Sequence, residues 1–383
     1  MRFFHLSDLH IGLKLMNRDL SEDRAHIFRQ IAEAARREQP DAIVIAGDVY
    51  DKAVPSAEAV AAFDAFVSLL AQAAPKAELM VISGNHDSAP RLNLFRGLLG
   101  RQGVHMIGLP PMEADERIEV VTLTDAFGPV DFYLLPFVKP GMVKAIVGTD
   151  ADGNNLSYDE SLRRLIDREA VDPSRRSVLV SHQFYIPAGQ DPASVERAGS
   201  EIVTVGNIDA VRADVLAPFD YAALGHIHRP MRVVGDRMRY CGAPLATSVS
   251  EAGQQKGIVM VELGAKGDVR TSVLPLAPLR QVKRVSGSLE AVLAQTCGDY
   301  VTVVLEGDAG LDAFDLRDRL QAAFPCLLEV RRELPLPSDY GPIPEPAEAL
   351  DALGVCEAFL GELDEDERAL LADVVNAAKE VGA

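Results

Sequence analysis

The first 275 residues repeat one pattern, in which a short apolar run ends abruptly in a cluster of polar residues. Continuous apolar runs of this length are typical of β-strands that are buried on both faces. The runs and the clusters that end them are 3–6 and 7–10, 42–46 and 47–48, 79–82 and 83–87, 178–180 and 181–182, and 221–224 and 225–228.

Helical patterns lie between the early strands. Residues 21–38 are charged and amphipathic, and residues 56–73 are rich in Ala and Leu, with Ser56 placed to cap the helix start. Alternating strands and helices predict an α/β fold. Ligands of such sheets bind beyond the carboxyl ends of the strands, so the five polar clusters are expected to form a single site.

The pattern changes towards the C-terminus. Residues 231–241 read as a hairpin that turns at Gly235-Asp236, and 257–263 as a further strand. Strands at 281–286, 300–306 and 326–333, with helices at 288–295 and 312–323, predict a small α/β domain. The expected divisions are a main domain (1–275), the small domain (276–336), a proline-rich linker (337–346) and an acidic helical segment (347–383).

The polar clusters are rich in side chains that bind metals. Asp, His and Asn suit Mn²⁺, Fe²⁺ or Zn²⁺, and a D-x-H or H-x-H triplet presents two side chains on the same side of an extended segment. A lone histidine is more often a packed core residue, but five such clusters are hard to attribute to packing. The candidate metal ligands are Asp8, His10, Asp48, Asn85, His182, His226 and His228.

Two ions about 3.5–4 Å apart are suited to phosphoester hydrolysis. One carboxylate must bridge such a pair, and Asp48, at the end of the expected central strand, is the best placed. The sequence therefore predicts a two-metal phosphodiesterase with Asp48 at its centre.

The same clusters resemble the five motifs of calcineurin-like metallophosphoesterases. The resemblance rests on Asp8-Leu9-His10-Ile11-Gly12, Gly47-Asp48-Val49-Tyr50-Asp51, Gly84-Asn85-His86-Asp87, His182 and Gly225-His226-Ile227-His228. It implies an α/β fold, a four-layer α-β-β-α sandwich with a small α/β capping domain and C-terminal helices.

The resemblance also implies individual roles. Asp8, His10, Asp48 and His228 would hold one metal, and Asp48, Asn85, His182 and His226 the other. His86 would act with Asp48 in catalysis, helping the 3′ oxygen to depart. Apart from the resemblance, Asp51 is expected to orient a neighbouring ligand in preference to being a simple loop acid, whereas Asp87 is placed to orient His86 but is equally compatible with a turn residue.

Further stretches, 224–230, 239–244 and 275–280, are similar to the nuclease members of this family. The resemblance implies manganese, exonuclease action on double-stranded DNA and endonuclease action on single strands and hairpins, in repair and recombination. It also implies a homodimer and an ATPase partner held by the C-terminal helices. Possible DNA contacts are Arg18, Arg91 and Arg229, for each of which an ordinary surface role is as good an interpretation.

Composition restricts the remaining choices. The formal net charge of −19 is unfavourable for a DNA-binding protein, so metals, local basic loops or a partner must compensate. The cysteines are dispersed and favour neither a zinc site nor a disulfide framework; they are Cys241, Cys297, Cys326 and Cys356. The sequence also has no apolar run of membrane length. Together these two features predict a cytoplasmic protein. No G-x-x-x-x-G-K-[ST] loop occurs, so ATP hydrolysis is assigned to the partner.

Two alternatives remain. A phosphodiesterase of small nucleotides would use the same metals, but such enzymes often lack the two C-terminal units. A scaffold that keeps the fold without catalysis would not need His86 or a full ligand set. A protein phosphatase is disfavoured, because the chain has Gly47-Asp48-Val49-Tyr50-Asp51-Lys52 where phosphatases have G-D-x-V-D-R-G.

Overall fold

A computed structural model describes residues 1–187, 189–201, 208–306 and 313–333, and scattered residues between 356 and 374. The contacts within the chain divide it into two units, Met1–Glu333 and Leu334–Ala383. The predicted linker (337–346) lies outside the described residues, as does most of the predicted segment 347–383, of which Phe359 and Leu360 are among the described helical residues.

The strands of the first unit are short. In chain order they are β1 (Arg2–Leu6), β2 (Lys14–Leu15), β3 (Arg18–Asp19), β4 (Ala42–Ala46), β5 (Glu78–Ile82), β6 (Val104–Ile107), β7 (Glu119–Asp125), β8 (Gly128–Leu135), β9 (Arg176–His182), β10 (Phe184–Ile186), β11 (Ala210–Arg212), β12 (Tyr221–Gly225), β13 (Met231–Val234), β14 (Met238–Tyr240), β15 (Lys256–Leu263), β16 (Val269–Leu276), β17 (Val282–Gly287), β18 (Tyr300–Glu306) and β19 (Leu327–Glu333).

The helices lie between them. They are α1 (Ser21–Glu38), α2 (Ala57–Ala73), α3 (Ala89–Leu92), α4 (Arg96–Leu99), α5 (Lys144–Val147), α6 (Tyr158–Asp167), α7 (Leu289–Leu293) and α8 (Ala313–Ala323). The Ser56 side chain accepts a hydrogen bond from the Ala59 amide, which confirms the predicted cap of α2. Of the helices in the described part of the chain, none is long and apolar enough to cross a membrane.

Two six-stranded sheets form the body of the unit. Their strand orders are β16-β15-β1-β4-β5-β6 and β13-β14-β12-β9-β8-β7. Strands β1, β4 and β5 are parallel neighbours in the first sheet, and β9 and β12 are parallel neighbours in the second. Parallel pairing places the carboxyl ends of neighbouring strands at one edge, where the polar clusters begin.

Side-chain alternation along the strands separates three cores. Phe3 packs between the two sheets together with Phe132 of the second sheet, whereas its neighbour Phe4 packs against α1 and α2 on the outer face of the first sheet. Leu179 belongs to a further core with Leu162 of α6, on the outer face of the second sheet. The layers are therefore helix, sheet, sheet, helix, and the predicted four-layer α/β sandwich is confirmed.

A separate three-stranded parallel sheet, β17-β18-β19, has its own core with α7 and α8. It contacts helix α1 through Asp23, a buried carboxylate that accepts hydrogen bonds from Tyr300 (2.8 Å) and Arg280 (2.8 Å). The strands and helices agree with those predicted for the small domain, but its contacts join it to the first unit. The division at residue 276 stays a prediction.

Replacing Asp23 tests this junction. We expect Asp23→Ala to lower the free energy of unfolding by about 2 kcal/mol, because the buried Tyr300 hydroxyl and the Arg280 guanidinium both lose a charged acceptor. Glu22 also pairs with Arg280, but its side chain is 70% exposed, so Glu22→Ala should cost less than about 1 kcal/mol. Urea unfolding of both variants measures the difference, and equal losses would contradict the assignment.

Candidate metal centre

The candidate metal ligands stand on an unusual backbone. Four of them have positive φ: Asp8 (55°), His10 (41°), Asp48 (50°) and His226 (105°). Positive φ is uncommon in residues other than glycine, and such strain concentrates at functional sites. Each of the four lies just beyond the end of a strand, so the chain turns sharply there and directs the side chain across the edge of the sheets.

Two glycines make this close approach possible. Gly47 has φ of 87°, and a β-carbon there would overlap the His182 ring. A β-carbon on Gly84 would overlap the carboxylate and amide of Asp48. Any larger residue at either position would push apart the strand ends that carry Asp48 and His182.

Four buried side chains, Asp8, His10, Asp48 and His228, bring their ligand atoms within 4.8 Å of one another. The Nε2 atoms of His10 and His228 are 3.0 Å apart, Asp48 Oδ2 lies 3.6 Å from His10 Nε2, and Asp8 Oδ1 lies 3.9 Å from His228 Nε2. This is the first of the two ligand sets expected from the sequence.

A second group converges on the amide oxygen of Asn85. Asn85 Oδ1 lies 3.0 Å from His182 Nε2 and 2.9 Å from His226 Nδ1. Asp48 connects the two groups, because its Oδ2 is also 3.3 Å from His182 Nε2. All seven predicted side chains therefore meet at one edge, with Asp48 between the two groups.

The donor set fits divalent cations. Imidazole nitrogens and carboxylate or amide oxygens are ligands for Mn²⁺, Fe²⁺ and Zn²⁺. Among the residues that the structure describes, the buried Nδ1 of His10 has no hydrogen-bond partner, and its Nε2 faces another imidazole nitrogen. Buried polar atoms are normally paired, so this arrangement is left incomplete by protein groups alone.

The pKa values of Asp8 and His182 are both raised, so these side chains would have to lose protons when a metal ion binds. Burial raises the pKa of Asp8 to about 7, against the opposing influence of His182, and Asp48 adds to the increase. Burial alone would lower the pKa of His182, but the carboxylates of Asp48 and Asp8 outweigh it and raise the pKa to about 9. Burial lowers the pKa of His10 to about 4.

His86 and the loops next to it are held by hydrogen bonds to Asp51, Asp48 and Asp87. His86 Nδ1 lies 2.9 Å from the backbone carbonyl of Asp51, and its amide donates to Asp48 Oδ1 (2.9 Å). Asp87 accepts hydrogen bonds from the amides of Val49, Tyr50 and Gly84. The Asp51 main chain thus orients His86, while Asp87 ties together the loops after β4 and β5.

The three arginines that are predicted to contact DNA have different surroundings. Arg18 donates to the carbonyls of Pro325 and Leu327 (3.2 Å each), so it joins the small sheet to the main body instead of facing solvent alone. Arg229 pairs with Glu196 at the surface. Arg91 is exposed on α3. DNA contact remains a prediction for all three.

Several groups that pack behind the ligands were missed by sequence reasoning. Glu201, Thr247 and Glu251 surround His228, and Arg197 donates to His226 Nε2 (2.7 Å). The one sequence signal is Ser248-x-x-Glu251, which forms a capping box at a short helical turn. That pattern predicts a local turn, but it does not predict the contact with a residue about twenty positions earlier.

Two comparisons with known protein sequences give matches over more than half of this chain. The model of the family described as calcineurin-like phosphoesterase matches residues 1–230. The chain is 28% identical over 297 residues to the SbcD component of the SbcCD nuclease from Staphylococcus saprophyticus, and the match covers 77% of this chain and 74% of the relative.

Solved structures give weaker similarity. A dimetal phosphatase from Danio rerio aligns with a TM-score of 0.43 and 14% identity, over 73% of this chain and 99% of that one. GAP50 of Plasmodium, the anchor in the inner membrane complex, aligns with a TM-score of 0.43 and 12% identity, over 90% of this chain and 99% of that one.

Metal affinity should rise with pH. Asp8 and His182, with pKa values raised to about 7 and about 9, carry protons near neutrality that an ion must displace. Raising the pH removes these protons, so Mn²⁺ affinity should increase by up to about tenfold per pH unit for each proton displaced. Calorimetry between about pH 6 and about pH 8.5 measures this, and an affinity that is flat or falls would contradict it.

Proposed function

This chain belongs to the calcineurin-like phosphoesterase family and is a metal-dependent phosphoester hydrolase, and we propose that it is a DNA nuclease that works with an SbcC-type ATPase. The observation that carries the proposal is the similarity to an SbcD nuclease component, which extends over 297 residues and so beyond the 230 residues of the family match. The pairing of two ligand groups through Asp48 supports the same chemistry.

In the proposed centre, Asp8, His10, Asp48 and His228 hold one ion, and Asp48, Asn85, His182 and His226 hold the other. A pair of Mn²⁺ ions would supply a hydroxide nucleophile at neutral pH and neutralise charge on the phosphate. Asp48 bridges the two groups and fixes their separation. The choice of manganese rests on the resemblance to family members.

His86 supplies the proton for the leaving group. Its Nδ1 donates to the carbonyl of Asp51, and this hydrogen bond fixes the ring. The other ring nitrogen, Nε2, takes no part in this hydrogen bond. When protonated, Nε2 can donate to the departing 3′ oxygen, and this is general-acid catalysis. His86 is half-buried beside His10, with ring centroids 4.9 Å apart, so it would lie next to the reacting phosphate without being a ligand in the proposed set.

The C-terminal segment is the proposed attachment point for the ATPase. Among its described residues, Phe359 is 88% exposed and Leu370 is 67% exposed. Exposed apolar side chains in a helical segment suit docking against a partner helix. The partner would also supply the ATP hydrolysis for which this chain has no phosphate-binding loop. We further propose that two copies of the chain form the core of the complex.

The acidic net charge must be compensated if DNA is the substrate. The formal charge is −19, so phosphate binding cannot depend on the average surface. Two divalent ions held at the strand ends would provide concentrated positive charge where the scissile phosphate would bind. The partner and the arginines near the site loops would contribute the rest.

Degradation of linear double-stranded DNA in Mn²⁺ tests the function. We expect the wild type to cut DNA, Asp48→Ala to be inactive because both ions lose a shared ligand, and His86→Ala to lose about 10²–10⁴-fold in rate because it loses the proton donor. His105→Ala is the matched control, since His105 pairs with Glu78 on the first sheet (2.8 Å) and should leave cutting unchanged.

Two further measurements separate the substrate from the chemistry. Addition of an SbcC-type ATPase should give ATP-dependent cutting of blocked DNA ends. If the wild type leaves DNA intact even with the ATPase but hydrolyses a small chromogenic phosphodiester in Mn²⁺, the metal chemistry stands and the DNA substrate is wrong. If neither substrate is hydrolysed, the chain is a scaffold.

A further inference from the structure

The imidazole of His228 has one nitrogen at the candidate metal centre and the other against a buried polar network. We propose that Thr247 and Glu251 are positioning residues that hold the imidazole proton on Nδ1 of His228 and so leave Nε2 free to bind a metal ion. The proposal rests on the proposed function only in taking His228 as a ligand.

The argument depends on counting protons. His228 Nδ1 lies 2.8 Å from Thr247 Oγ1, and Thr247 Oγ1 lies 2.7 Å from Glu251 Oε1. A hydroxyl has one proton, and a carboxylate can only accept. The Thr247 proton therefore goes to Glu251, and the short contact between Thr247 and Nδ1 is a hydrogen bond only if Nδ1 carries the proton. Neutral imidazole has a single ring proton, so Nε2 is bare.

Glu251 is held as an acceptor by its surroundings. The carboxylate is 1% exposed and pairs with the ammonium group of Lys256, itself 6% exposed. Its Oε1 also accepts from the amides of Thr247 and Ser248 (2.9 Å each). The ammonium group and the two amides all donate to this carboxylate, so it serves as the acceptor for the Thr247 hydroxyl as well.

Ser200 offers a competing arrangement. Its hydroxyl lies 3.0 Å from His228 Nδ1 and 2.8 Å from Thr247 Oγ1, so it could donate to a bare Nδ1. In that arrangement Thr247 Oγ1 and Nδ1 would face each other as two acceptors at 2.8 Å. The Thr247–Glu251 pair excludes this, and removing the Thr247 hydroxyl would permit it.

The same network fixes the position of the residue as well as its proton. The His228 amide donates to Glu201 (2.8 Å), and its carbonyl accepts from Lys256 Nζ (3.0 Å). His182 shows the contrasting solution, because its Nδ1 faces the backbone carbonyl of Ala46 (2.8 Å). A backbone acceptor cannot be removed by a side-chain substitution. The partner of His228 Nδ1 is a side chain, so its effect on the position of the imidazole proton can be tested by substitution.

The first test reads the position of the proton in the metal-free full-length protein. Nitrogen NMR of ¹⁵N-histidine-labelled protein, with His228 assigned by the loss of its signals in His228→Asn, should show a protonated Nδ1 and a bare Nε2. Thr247→Ser keeps the hydroxyl and should keep that tautomer. Thr247→Val should shift the population towards a protonated Nε2. A protonated Nε2 in the wild type would overturn the proposal.

The second test measures Mn²⁺ binding by calorimetry, without DNA. Thr247→Val should weaken the binding of one ion by about 10–100-fold, the usual effect of removing a group that orients a metal ligand. Thr247→Ser should bind within a few-fold of the wild type. Wild-type affinity in Thr247→Val, or equal losses in both variants, would overturn the role of the hydroxyl.

Neither readout depends on the substrate. If both variants behave as expected and DNA is not cut, the DNA nuclease assignment fails while the positioning role stands. If the wild type binds no Mn²⁺, the proposed metal centre fails, and the tautomer measurement still decides whether Thr247 holds the proton.

Discussion

The structure depends on a carboxylate, Asp48, held in the protein interior among imidazole rings. Its side chain is almost fully buried, and burying a lone charge is costly unless opposite charges or hydrogen-bond donors surround it. The His86 amide and the rings of His182 and His10 provide that compensation. The imidazoles hold the pKa of Asp48 well below its usual range although burial alone would raise it, so the carboxylate is ionised.

Maintaining this cluster requires the two sheets. Site residues such as Asp48 and His226 adopt positive φ, a strain that persists only when the surroundings determine the backbone. The parallel strands supply that constraint, since β4 and β12 are buried along their whole length. Asp87 adds to it by binding three amides of the neighbouring loops. The rigid interior therefore supports a locally strained edge, a combination typical of functional sites.

The strands and the residues of the site could be predicted from the sequence, because apolar runs and metal-binding side chains are local features of the chain. Short apolar runs identified the strands, and the carboxyl ends of parallel strands gathered residues as distant as Asp8 and His228. The backbone strain could not be predicted, since Asp8 and His10 have no glycine-like character in the sequence. The hydrogen-bond partners of Arg18 and Thr247 could not be predicted either, because they depend on packing between segments that are distant in the sequence.

Anomalous X-ray diffraction from crystals equilibrated with Mn²⁺ tests the central claim most directly. Two peaks about 3.5–4 Å apart, one on each side of the Asp48 carboxylate, are the predicted result. One of them should lie beside His10 and His228, and the other beside Asn85 and His182. A single peak, or peaks that Asp48 does not bridge, would contradict the account.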